Sequence, residues 1–279
     1  MKELQLWKKM IQKKTVAFKS GAILPFETEL VKIQDRGVDF IVRVVRDSFR
    51  KAHPYDPKKH KNNEFDPFLN YDKNLFVSDI TDTHFCLLNK YNVVDYHLLL
   101  VTRNFEEQQS FLTPADFYAL NLCMKEFNSF AFYNSGKDAG ASQRHKHLQL
   151  VPVPLESSSF SVPLEAIING YEIKDSISVC PELPFKHRII FFSEYNAENM
   201  YKHYSALMDA LSIKNPLTPY NLLITNSWMM VIPRKKEYYK QISVNALGFA
   251  GSLLVMDKKQ LEIVKREGPF KILQKVAFR

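Results

Sequence analysis

His145-Lys146-His147-Leu148-Gln149, near the middle of the chain, alternates two histidines and a glutamine with a lysine and a leucine. Successive side chains of a β-strand point to opposite faces. A strand over this segment therefore places His145, His147 and Gln149 on one face and the intervening residues on the other. A loop rich in small residues comes just before it. This arrangement suits a phosphate that is held in a turn and attacked by an imidazole.

The polar face of this strand predicts a nucleophile. A neutral imidazole can attack phosphorus and form a phosphoramidate, which divides one difficult displacement into two easier ones. The attacking nitrogen must be free, so the other ring nitrogen must donate its hydrogen to a fixed acceptor such as a backbone carbonyl. We predict that His147, at the centre of the face, is this nucleophile, with His145 and Gln149 as its catalytic neighbours.

Gln149 indicates the kind of leaving group. It would donate an amide hydrogen to the leaving-group oxygen or to a non-bridging oxygen. Because a neutral glutamine cannot act as a general acid, the leaving group should depart as an anion, as a nucleoside polyphosphate does. The preceding loop should bind the phosphate through backbone N–H groups and a hydroxyl. The residues predicted to do so are Gly140, Ala141, Ser142 and Gln143, with Asn134 and Ser135 on the other side.

A metal site is the alternative for two histidines on a strand, because such pairs can bind zinc. Here no third ligand lies at close spacing and glutamine is a poor ligand, so we predict catalysis and no metal site. The three cysteines, Cys86, Cys123 and Cys180, are far apart and form no CxxC pair. Neither a disulfide framework nor a thiolate zinc site is indicated, and a reducing cytoplasm is the expected location.

The composition is that of a globular protein with a basic surplus. Of the 279 residues, 46% are hydrophobic and 24% are charged, and the formal net charge is +8. A basic surplus favours polyanionic ligands, either nucleotides or nucleic acid, without choosing between them. The amphipathic N-terminus does not resemble a signal peptide, and no run approaches the roughly 20 apolar residues that span a bilayer. We therefore expect no membrane partner.

Periodicity along the chain predicts an α+β fold, with a mostly antiparallel sheet and packed helices. Thr113-Pro114-Ala115-Asp116 predicts a helix start, since it combines an N-cap, a proline at the first helical position and an acid three residues after the cap. Helices are predicted over residues 4–19, 114 to about 130, 197–212 and 258–267, the last being the final full helix. Strands are predicted over residues 28–31, 38–45, 74–78, 83–90, 96–102, 131–134, 145–151, 220–225 and 228–233.

Breaks in these patterns predict how the chain is organised. Pro152-Val153-Pro154 should end the histidine strand, because proline cannot donate to a ladder. The segment 156–159 is typical of a linker. We expect an N-terminal region over residues 1–155 and a C-terminal extension over 160–279 that extends the sheet or caps the site within one catalytic unit. Residues 51–74 are predicted to be a polar loop, and the basic run at 58–61 to be solvated rather than phosphate-binding.

The chain resembles the histidine-triad (HIT-like) superfamily, and within it the ATP adenylyltransferase or diadenosine tetraphosphate (Ap4A) phosphorylase family. In that family glutamine replaces the third histidine of the triad, which matches Gln149. The resemblance covers most of the chain and keeps the order of the family's blocks. The further blocks that resemble it are residues 19–22, 42–44, 87–90, 92–94, 97–102, 220–225, 231–234 and 245–251.

The resemblance implies a reaction in which Ap4A and phosphate give ADP and ATP reversibly. His147 would attack the α-phosphorus of one AMP half, ATP would leave, and inorganic phosphate would take AMP from His147. Asn89 would hold the ribose hydroxyls, and the aliphatic residues beside it, Leu87 and Leu88, would flank the base. A divalent cation, Mg²⁺ or Mn²⁺, would arrive bound to the polyphosphate. No organic cofactor is implied, and the partners would be Ap4A, ADP, ATP and phosphate, taken up by a monomer or small homo-oligomer.

Other polar residues in these blocks are predicted to bind substrate, although each could equally be a solvated surface residue. Lys19 and Lys90 would contact phosphate. Arg234 and Lys236 follow a strand and would clamp the distal phosphates, since guanidinium geometry suits phosphate oxygens. The turn Thr225-Asn226-Ser227 would also reach the ligand.

Three alternatives stay open at this point. The chain could be a related nucleotidyltransferase with another nucleotide, such as a uridylyltransferase or a GDP-sugar phosphorylase. It could be a hydrolase in which water resolves the adenylylated histidine. It could be a nucleotide-binding or RNA-binding protein without turnover, although nothing resembles an RNP motif or a KH loop, and we expect no nucleic-acid partner.

Overall fold

The structure, a computed structural model, describes residues 4–52, 66–156 and 159–279. Its helices are α1 (Leu6–Lys19), α2 (Asp47–Ala52), α3 (Pro114–Glu126), α4 (Glu165–Ile168), α5 (Ala197–Ala210), α6 (Ala246–Ala250), α7 (Lys258–Glu267) and α8 (Pro269–Val276). Its strands are β1 (Thr28–Asp35), β2 (Val38–Val45), β3 (Phe76–Asp79), β4 (His84–Leu88), β5 (Leu98–Thr102), β6 (Ser129–Ser135), β7 (His147–Pro152), β8 (Arg188–Phe191), β9 (Tyr220–Ile224), β10 (Trp228–Pro233), β11 (Tyr238–Tyr239), β12 (Ile242–Ser243) and β13 (Ser252–Val255).

An antiparallel sheet of eight strands dominates the fold. Its strand order is β3-β4-β5-β7-β6-β9-β10-β8, and each neighbouring pair is antiparallel. β7 lies between β5 and β6, near the centre, where a strand is held on both sides. A smaller sheet has the order β1-β2-β13, with β2 and β13 parallel. The predicted α+β fold with a mostly antiparallel sheet is confirmed.

The two faces of the large sheet are buried against different layers. Leu148 and Leu150 of β7 belong to a core that includes residues of α1, α3 and α5. On the other side, Phe130 and Phe132 of β6 belong to a core that includes residues of β2, β13, α6, α7 and α8. Alternation along β7 places His147 and Gln149 on this second side, which we call the front face.

The start of α3 forms as its sequence predicts. The Thr113 side chain accepts a hydrogen bond from the Asp116 N–H, and the Asp116 carboxylate accepts one from the Thr113 N–H at 2.6 Å, which completes a capping box. The prediction that this helix runs to about Phe130 is wrong. Phe127 is already extended, and Phe130 is a fully buried residue of β6.

Two further element ends differ from prediction. β7 begins at His147, and His145 instead forms an isolated bridge with Glu107. The helix over 258–267 is not the last one. Gly268, with φ at +80°, turns the chain, and Pro269 occupies the first position of α8, where proline is tolerated because its missing N–H would be unpaired anyway.

The residues after 160 contribute strands to both sheets. β8, β9 and β10 belong to the large sheet, and β13 pairs with β2. The division into regions 1–155 and 160–279 stays a prediction. The basic run 58–61 lies outside the described residues. Cys86, Cys123 and Cys180 are free thiols. In the described ranges, no helix is both long enough and apolar enough to cross a bilayer.

Candidate active site

His147, the first residue of β7, has the geometry expected of a nucleophile. It is 4% exposed. Its Nδ1 lies 2.8 Å from the backbone carbonyl oxygen of His145. A carbonyl oxygen only accepts, so Nδ1 carries the hydrogen and Nε2 carries the lone pair. No described residue forms a hydrogen bond with Nε2, which leaves that lone pair free to react.

Burial keeps the His147 ring neutral. Desolvation lowers the pKa of His147 from 6.5 to about 4, against the opposing effect of its hydrogen bond to the His145 carbonyl; the nearby His145 ring lowers it further and Asp66 raises it. At neutral pH the imidazole is therefore unprotonated. His147 therefore meets the requirement predicted from the sequence for the attacking residue. One ring nitrogen is free, and the other donates to a carbonyl.

A chain of hydrogen bonds fixes the direction of the Gln149 amide. The Tyr91 N–H donates to Oδ1 of Asn89 at 3.1 Å, so Nδ2 of Asn89 is the group that faces Nδ1 of His97 at 3.2 Å. His97 Nδ1 then accepts, and its Nε2 donates to Oε1 of Gln149 at 2.9 Å. The Gln149 amide nitrogen is left without a partner among the described residues, as a donor to substrate requires.

His97 is neutral for the same reason as His147. Burial lowers the pKa of His97 to about 4, while its hydrogen bond to Gln149 raises it and the nearby His147 lowers it. A neutral ring can accept at one nitrogen and donate at the other. Asn89, predicted to hold ribose, thus lies next to the site, with both ends of its amide already engaged.

His145 contacts two residues through its ring nitrogens. Its Nδ1 lies 2.7 Å from Oδ2 of Asp66, and its Nε2 lies 2.8 Å from the Thr102 carbonyl oxygen and 3.1 Å from the Thr102 hydroxyl. The Phe68 ring meets both histidine rings edge-on, with centroids 5.8 Å from His145 and 4.9 Å from His147. Asp66 and Phe68 therefore bring one short stretch of chain against both imidazoles.

Gln108 holds the backbone around the nucleophile. Its Oε1 accepts from the His147 N–H at 2.8 Å, and its Nε2 donates to the carbonyl oxygens of His147, at 3.2 Å, and Asn134, at 2.9 Å. Its own carbonyl accepts the Tyr133 hydroxyl hydrogen. Gln108 is 2% exposed. One amide thus fixes the start of β7 against the end of β6.

The loop between β6 and β7 forms more internal hydrogen bonds than predicted. The N–H groups of Gly140 and Ala141 donate to the carbonyls of Lys137 and Gly136, at 2.8 and 3.1 Å, so they are not available to a phosphate. The N–H groups of Ser142 and Gln143 form no hydrogen bond within the described residues. The predicted phosphate contact therefore stays open for Ser142 and Gln143. For the N–H groups of Gly140 and Ala141 it is corrected.

Gly140 is required by both conformation and space. Its φ is +91°, in the region that favours glycine, and a Cβ there would lie 2.8 Å from Cβ of Asn245 and 2.9 Å from the carbonyl oxygen of Val244. The loop is thus closely packed on the residues that precede α6.

Asn134 lies on the front face within a polar network. Its Oδ1 accepts from Nδ2 of Asn221 at 2.8 Å and from the Ala246 N–H at 3.0 Å. Its amide nitrogen forms no hydrogen bond with a described residue. The amide nitrogen of Asn134 is therefore free to donate, and its contact with a ligand stays a prediction.

Arg234 is placed differently from its prediction. It is fully buried, and all five guanidinium N–H groups have protein acceptors. The acceptors are Oδ1 of Asn221 and the carbonyl oxygens of Ala139, Lys236, Val244 and Val276. Burial lowers the pKa of Arg234 to about 9, against the charges of Glu237 and Asp138. With no donor left for phosphate, the clamp predicted for Arg234 is corrected to a role in holding the loop that precedes β7.

Ser135 also departs from its prediction. It pairs with Tyr220 of β9, whose side chain belongs to the core behind the sheet. Cross-strand partners share a face, so Ser135 points away from His147. Its hydroxyl is buried and forms no hydrogen bond. The phosphate contact predicted for its side chain is therefore corrected.

The turn Thr225-Asn226-Ser227 follows β9, at the end of that strand away from Asn221. β9 pairs with β6 so that Asn221 is opposite Asn134 and Ile224 is opposite Ala131. At about 3.3 Å per residue, Thr225 lies about 13 Å along the strand from Asn221. Its hydroxyl accepts the N–H groups of Ser227 and Trp228, which is a turn-forming role. The contact of these three residues with substrate stays a prediction.

The remaining predicted lysines are on the surface. Lys19, Lys90 and Lys236 are exposed. In the part of the chain that the structure describes, none of the three forms an ion pair, and Lys90 lies over the Tyr91 ring at 5.5 Å. Lys90 directly follows Asn89 and is thereby near the site. The substrate contacts of these lysines stay predictions.

A small apolar cluster adjoins the histidines on the front face. Its buried members are Phe68, Phe85, Leu87, Leu99 and Val101. Leu88, by contrast, belongs to the core behind the sheet, so only one of the two leucines expected beside a base faces the site. Within the described residues, no group of three or more His, Cys, Asp or Glu side chains is arranged to hold a metal ion.

Sequence reasoning missed three residues of this site. Asp66 and Phe68 reach the histidines from a polar loop, and Gln108 reaches them from a segment without periodic pattern. The Asp-Pro-Phe sequence at 66–68, with an aromatic residue in an otherwise polar stretch, was the available signal for the first two. His97 was part of a family block, but its contact with Gln149 depends on the pairing of β5 with β7.

Two family models match the chain in sequence order. One, described as the Ap4A phosphorylase N-terminal domain, matches residues 1–170, and the other, described as the ATP adenylyltransferase C-terminal domain, matches residues 181–279. Among curated relatives, diadenosine 5',5'''-P1,P4-tetraphosphate phosphorylase 2 of Saccharomyces cerevisiae is 29% identical over an alignment of 300 residues including gaps. The alignment covers 94% of this chain and 90% of the relative.

Solved structures give the same likeness. Yeast Ap4A phosphorylase Apa2 in complex with AMP superposes with a TM-score of 0.82 at 26% identity, covering 98% of this chain and 96% of that one. The same yeast protein in complex with Ap4A gives a TM-score of 0.82 at 25% identity, covering 98% and 97%. The likeness therefore extends over nearly the whole of both chains.

Proposed function

The chain belongs to the Ap4A phosphorylase family, and on that premise we propose that it cleaves Ap4A with inorganic phosphate to give ADP and ATP, reversibly, through an AMP group carried on His147. The enzyme is a nucleotidyltransferase. One observation carries the covalent route: the buried, neutral His147 ring donates from Nδ1 to the His145 carbonyl and leaves Nε2 without a partner among the described residues.

In the first step, Nε2 of His147 bonds to the α-phosphorus of one AMP half. The bond from that phosphorus to its bridging oxygen breaks, and ATP leaves with the electron pair as an anion. The Gln149 amide, directed by His97, donates a hydrogen bond to an oxygen that gains charge. No proton is transferred by Gln149, so the scheme requires a leaving group that is stable as an anion, and ATP is one.

In the second step, an oxygen of inorganic phosphate bonds to the same phosphorus. The P–N bond breaks, ADP is released, and His147 returns to its neutral state. Because Nδ1 keeps its hydrogen bond to the His145 carbonyl throughout, the same nitrogen is nucleophile in one direction and leaving group in the other. One site therefore serves both directions of the reaction.

The surroundings support a nucleotide ligand. The apolar cluster that contains Phe68 and Leu87 offers a surface for a purine base beside the reacting phosphorus. Asn134, with a free amide nitrogen, and the unbonded N–H groups of Ser142 and Gln143 would donate to phosphate oxygens. The basic surplus of +8 attracts a polyphosphate over longer distances.

Several finer properties are part of the proposal. A divalent cation, Mg²⁺ or Mn²⁺, would arrive bound to the polyphosphate. A cation bound in this way does not need a set of protein ligands of its own. The substrates are small molecules, and the chain acts as a monomer or small homo-oligomer in the cytoplasm, an environment that suits its three free thiols.

Intact-protein mass spectrometry tests the covalent route. The chain is incubated with Ap4A with and without inorganic phosphate, as wild type and as His147→Ala. We expect an AMP-sized adduct in wild type without phosphate, its loss with formation of ADP when phosphate is added, and no adduct in His147→Ala.

A matched control is His203→Ala, since the His203 ring stacks on Phe192 away from the site and its loss should leave adduct formation unchanged. An adduct in His147→Ala would contradict the assignment of the nucleophile. An adduct that water removes as fast as phosphate does would make the chain a hydrolase. Absence of both adduct and products in wild type would overturn the proposed function.

A further inference from the structure

His145 is held by acceptors at both ring nitrogens. We propose that Asp66 and His145 form a carboxylate–imidazolium pair that positions His147, so that Asp66 and His145 are positioning residues for adenylyl transfer. The charge state of the pair depends only on local hydrogen bonding. Its role in transfer rests on the proposed function.

The Nε2 side of His145 requires a hydrogen on that nitrogen. The Thr102 carbonyl oxygen, 2.8 Å away, can only accept. The Thr102 hydroxyl, 3.1 Å away, gives its own hydrogen to the Lys146 carbonyl at 3.4 Å and therefore also acts as an acceptor toward the ring. Nε2 of His145 is accordingly a donor.

The Nδ1 side requires a second hydrogen. Oδ2 of Asp66 lies 2.7 Å from Nδ1. The other carboxylate oxygen accepts the N–H groups of Phe68, at 2.8 Å, and Leu69, at 3.3 Å, and such bonds favour the ionised carboxylate. A neutral histidine has only one N–H. With that hydrogen on Nε2, the lone pair of Nδ1 would face the Asp66 carboxylate, and the two would repel each other. An imidazolium satisfies both sides.

The proton belongs on the ring rather than on the carboxylate. Both backbone N–H bonds to the Asp66 carboxylate, from Phe68 and Leu69, favour its charged form. The side chain of His145 is 1% exposed and that of Asp66 is 16% exposed, so solvent weakens their attraction little. The nearby charged groups, Arg144 and Glu107, pair with each other.

The pair acts on His147 through the backbone and through Phe68. The carbonyl oxygen that accepts the His147 Nδ1 hydrogen belongs to His145 itself, so a fixed His145 ring fixes that acceptor. Asp66 also anchors the turn that places the Phe68 ring against both imidazoles. In addition, the charge of His145 opposes protonation of His147. The pair keeps its proton and takes no part in the bonds that form and break.

Nuclear magnetic resonance of histidine ring nitrogens tests the charge state directly. In the uniformly ¹⁵N-labelled full chain, we expect one of the eight histidines, assigned with His145→Gln, to carry hydrogens on both ring nitrogens at pH 7. In Asp66→Asn that signature should disappear, because the new amide would donate to Nδ1 and leave a neutral ring. A singly protonated His145 in wild type would overturn the proposal.

The matched control is Asp72→Asn. The Asp72 carboxylate also accepts a backbone N–H in a local turn, that of Asn74 at 2.8 Å, and it is exposed. Asn keeps the acceptor oxygen in both variants, so both should fold. The doubly protonated signal should survive in Asp72→Asn. Loss of the signal in Asp72→Asn would show that the signal does not depend on the Asp66 carboxylate in particular. That result would contradict the proposed carboxylate–imidazolium pair.

Rapid-quench measurement of AMP transfer tests the role. Asp66→Asn should lower the first-order transfer rate about tenfold to a hundredfold, the range found when the carboxylate partner of a metal-binding histidine is removed. It should also move the acid limb of the pH–rate profile and leave the KM for Ap4A nearly unchanged. Asp72→Asn should match wild type in all three.

The two proposals fail in different ways. If Asp66→Asn transfers AMP at the wild-type rate with the wild-type pH profile, the positioning role is wrong even though Ap4A phosphorolysis stands. If wild type forms no adduct at all, the proposed function is wrong, and the ring-nitrogen measurement still decides whether the carboxylate–imidazolium pair exists.

Discussion

His147 and His187 occupy nearly the same local environment and yet differ in what they can do. Each follows a lysine and donates from Nδ1, at 2.8 Å, to the carbonyl oxygen two residues earlier, in His145 and Phe185 respectively. Each ring meets a phenylalanine edge-on. Burial is the main cause that lowers the pKa of both.

The difference lies at Nε2. In His187 this nitrogen accepts the Cys180 N–H at 3.0 Å, so its lone pair is used to hold a loop. In His147 no described residue donates to it. A neutral, oriented imidazole is therefore common to both positions, and the absence of one backbone N–H opposite Nε2 distinguishes a nucleophile from a structural histidine.

The largest expected effect separates these two rings by activity. His147→Gln should reduce the rate of AMP transfer at least about ten-thousandfold, since it removes the nucleophile. His187→Gln should transfer AMP at the wild-type rate, because its amide oxygen can still accept the Cys180 N–H. A rapid-quench time course of adduct formation measures both. Equal losses in the two variants would contradict the distinction drawn at Nε2.

The lysines before the two histidines should differ in stability. Lys146 is fully buried between Glu106, at 2.8 Å, and Asp116, at 3.2 Å, whereas Lys186 is exposed. Although burial by itself raises the pKa of Asp116, its bond from His84 and the charge of Lys146 hold that pKa below the usual value. Lys146→Met therefore leaves a buried carboxylate short of one partner.

We expect Lys146→Met to lower the free energy of unfolding by about 3 to 5 kcal/mol, and Lys186→Met to change it by no more than about 0.5 kcal/mol. Urea unfolding followed by tryptophan fluorescence compares the variants. A Lys146→Met protein with the wild-type urea midpoint would show that the ion pairs behind β7 do not stabilise the fold.

The strand pattern of the two histidines shows what the sequence can predict. Alternation with period two placed His147 and Gln149 on one face, and the Thr113 cap located the start of α3, because both depend on neighbouring residues alone. The same alternation, applied to β6, would have separated Asn134 from Ser135. The strand direction and register that place the turn after β9 are not local properties.

Partners from distant segments could not be predicted. Asp66 binds His145 from 79 residues away, and His97 binds Gln149 from 52 residues away, so each contact depends on the assembled sheet. Arg234 has the residue type of a phosphate ligand. Its true role follows from five oxygens that separate segments bring around it, and nothing in its own neighbourhood in the sequence indicates them.

A third neutral histidine sharpens the comparison. His97 has both ring nitrogens engaged, as His187 does, but one partner is Gln149. His97→Phe keeps a ring of similar shape and removes the donor that directs the Gln149 amide. We expect the rate of AMP transfer to fall about a hundredfold, the effect of losing one oriented donor to a developing oxyanion, with a smaller change in the KM for Ap4A.

His203→Phe is the matched control for that variant, because the His203 ring stacks on Phe192 outside the site. It should transfer AMP at the wild-type rate in the same assay. If His97→Phe did so as well, the orientation of Gln149 would not depend on His97, and the hydrogen-bond chain from Tyr91 would be incidental to catalysis.

The smallest expected effect concerns the pH dependence of folding, in which His147 and His187 should behave alike. The pKa of His147 is about 4 in the folded chain and 6.5 when unperturbed, so between these values the unfolded chain binds more protons. Stability is then fully present above pH 6.5 and is lost as the pH falls toward 4. Between pH 7 and pH 5, His147 alone should account for a loss of about 2 kcal/mol. The lowered pKa of His187 acts in the same direction.

Urea unfolding at pH 7 and pH 5 measures this loss in wild type, His147→Gln and His187→Gln. Each variant should show a smaller loss than wild type, because glutamine does not titrate, although only His147→Gln should also lose adduct formation. If the loss were the same in His147→Gln as in wild type, the pKa of His147 would not be lowered in the folded chain, which would contradict a neutral, buried nucleophile.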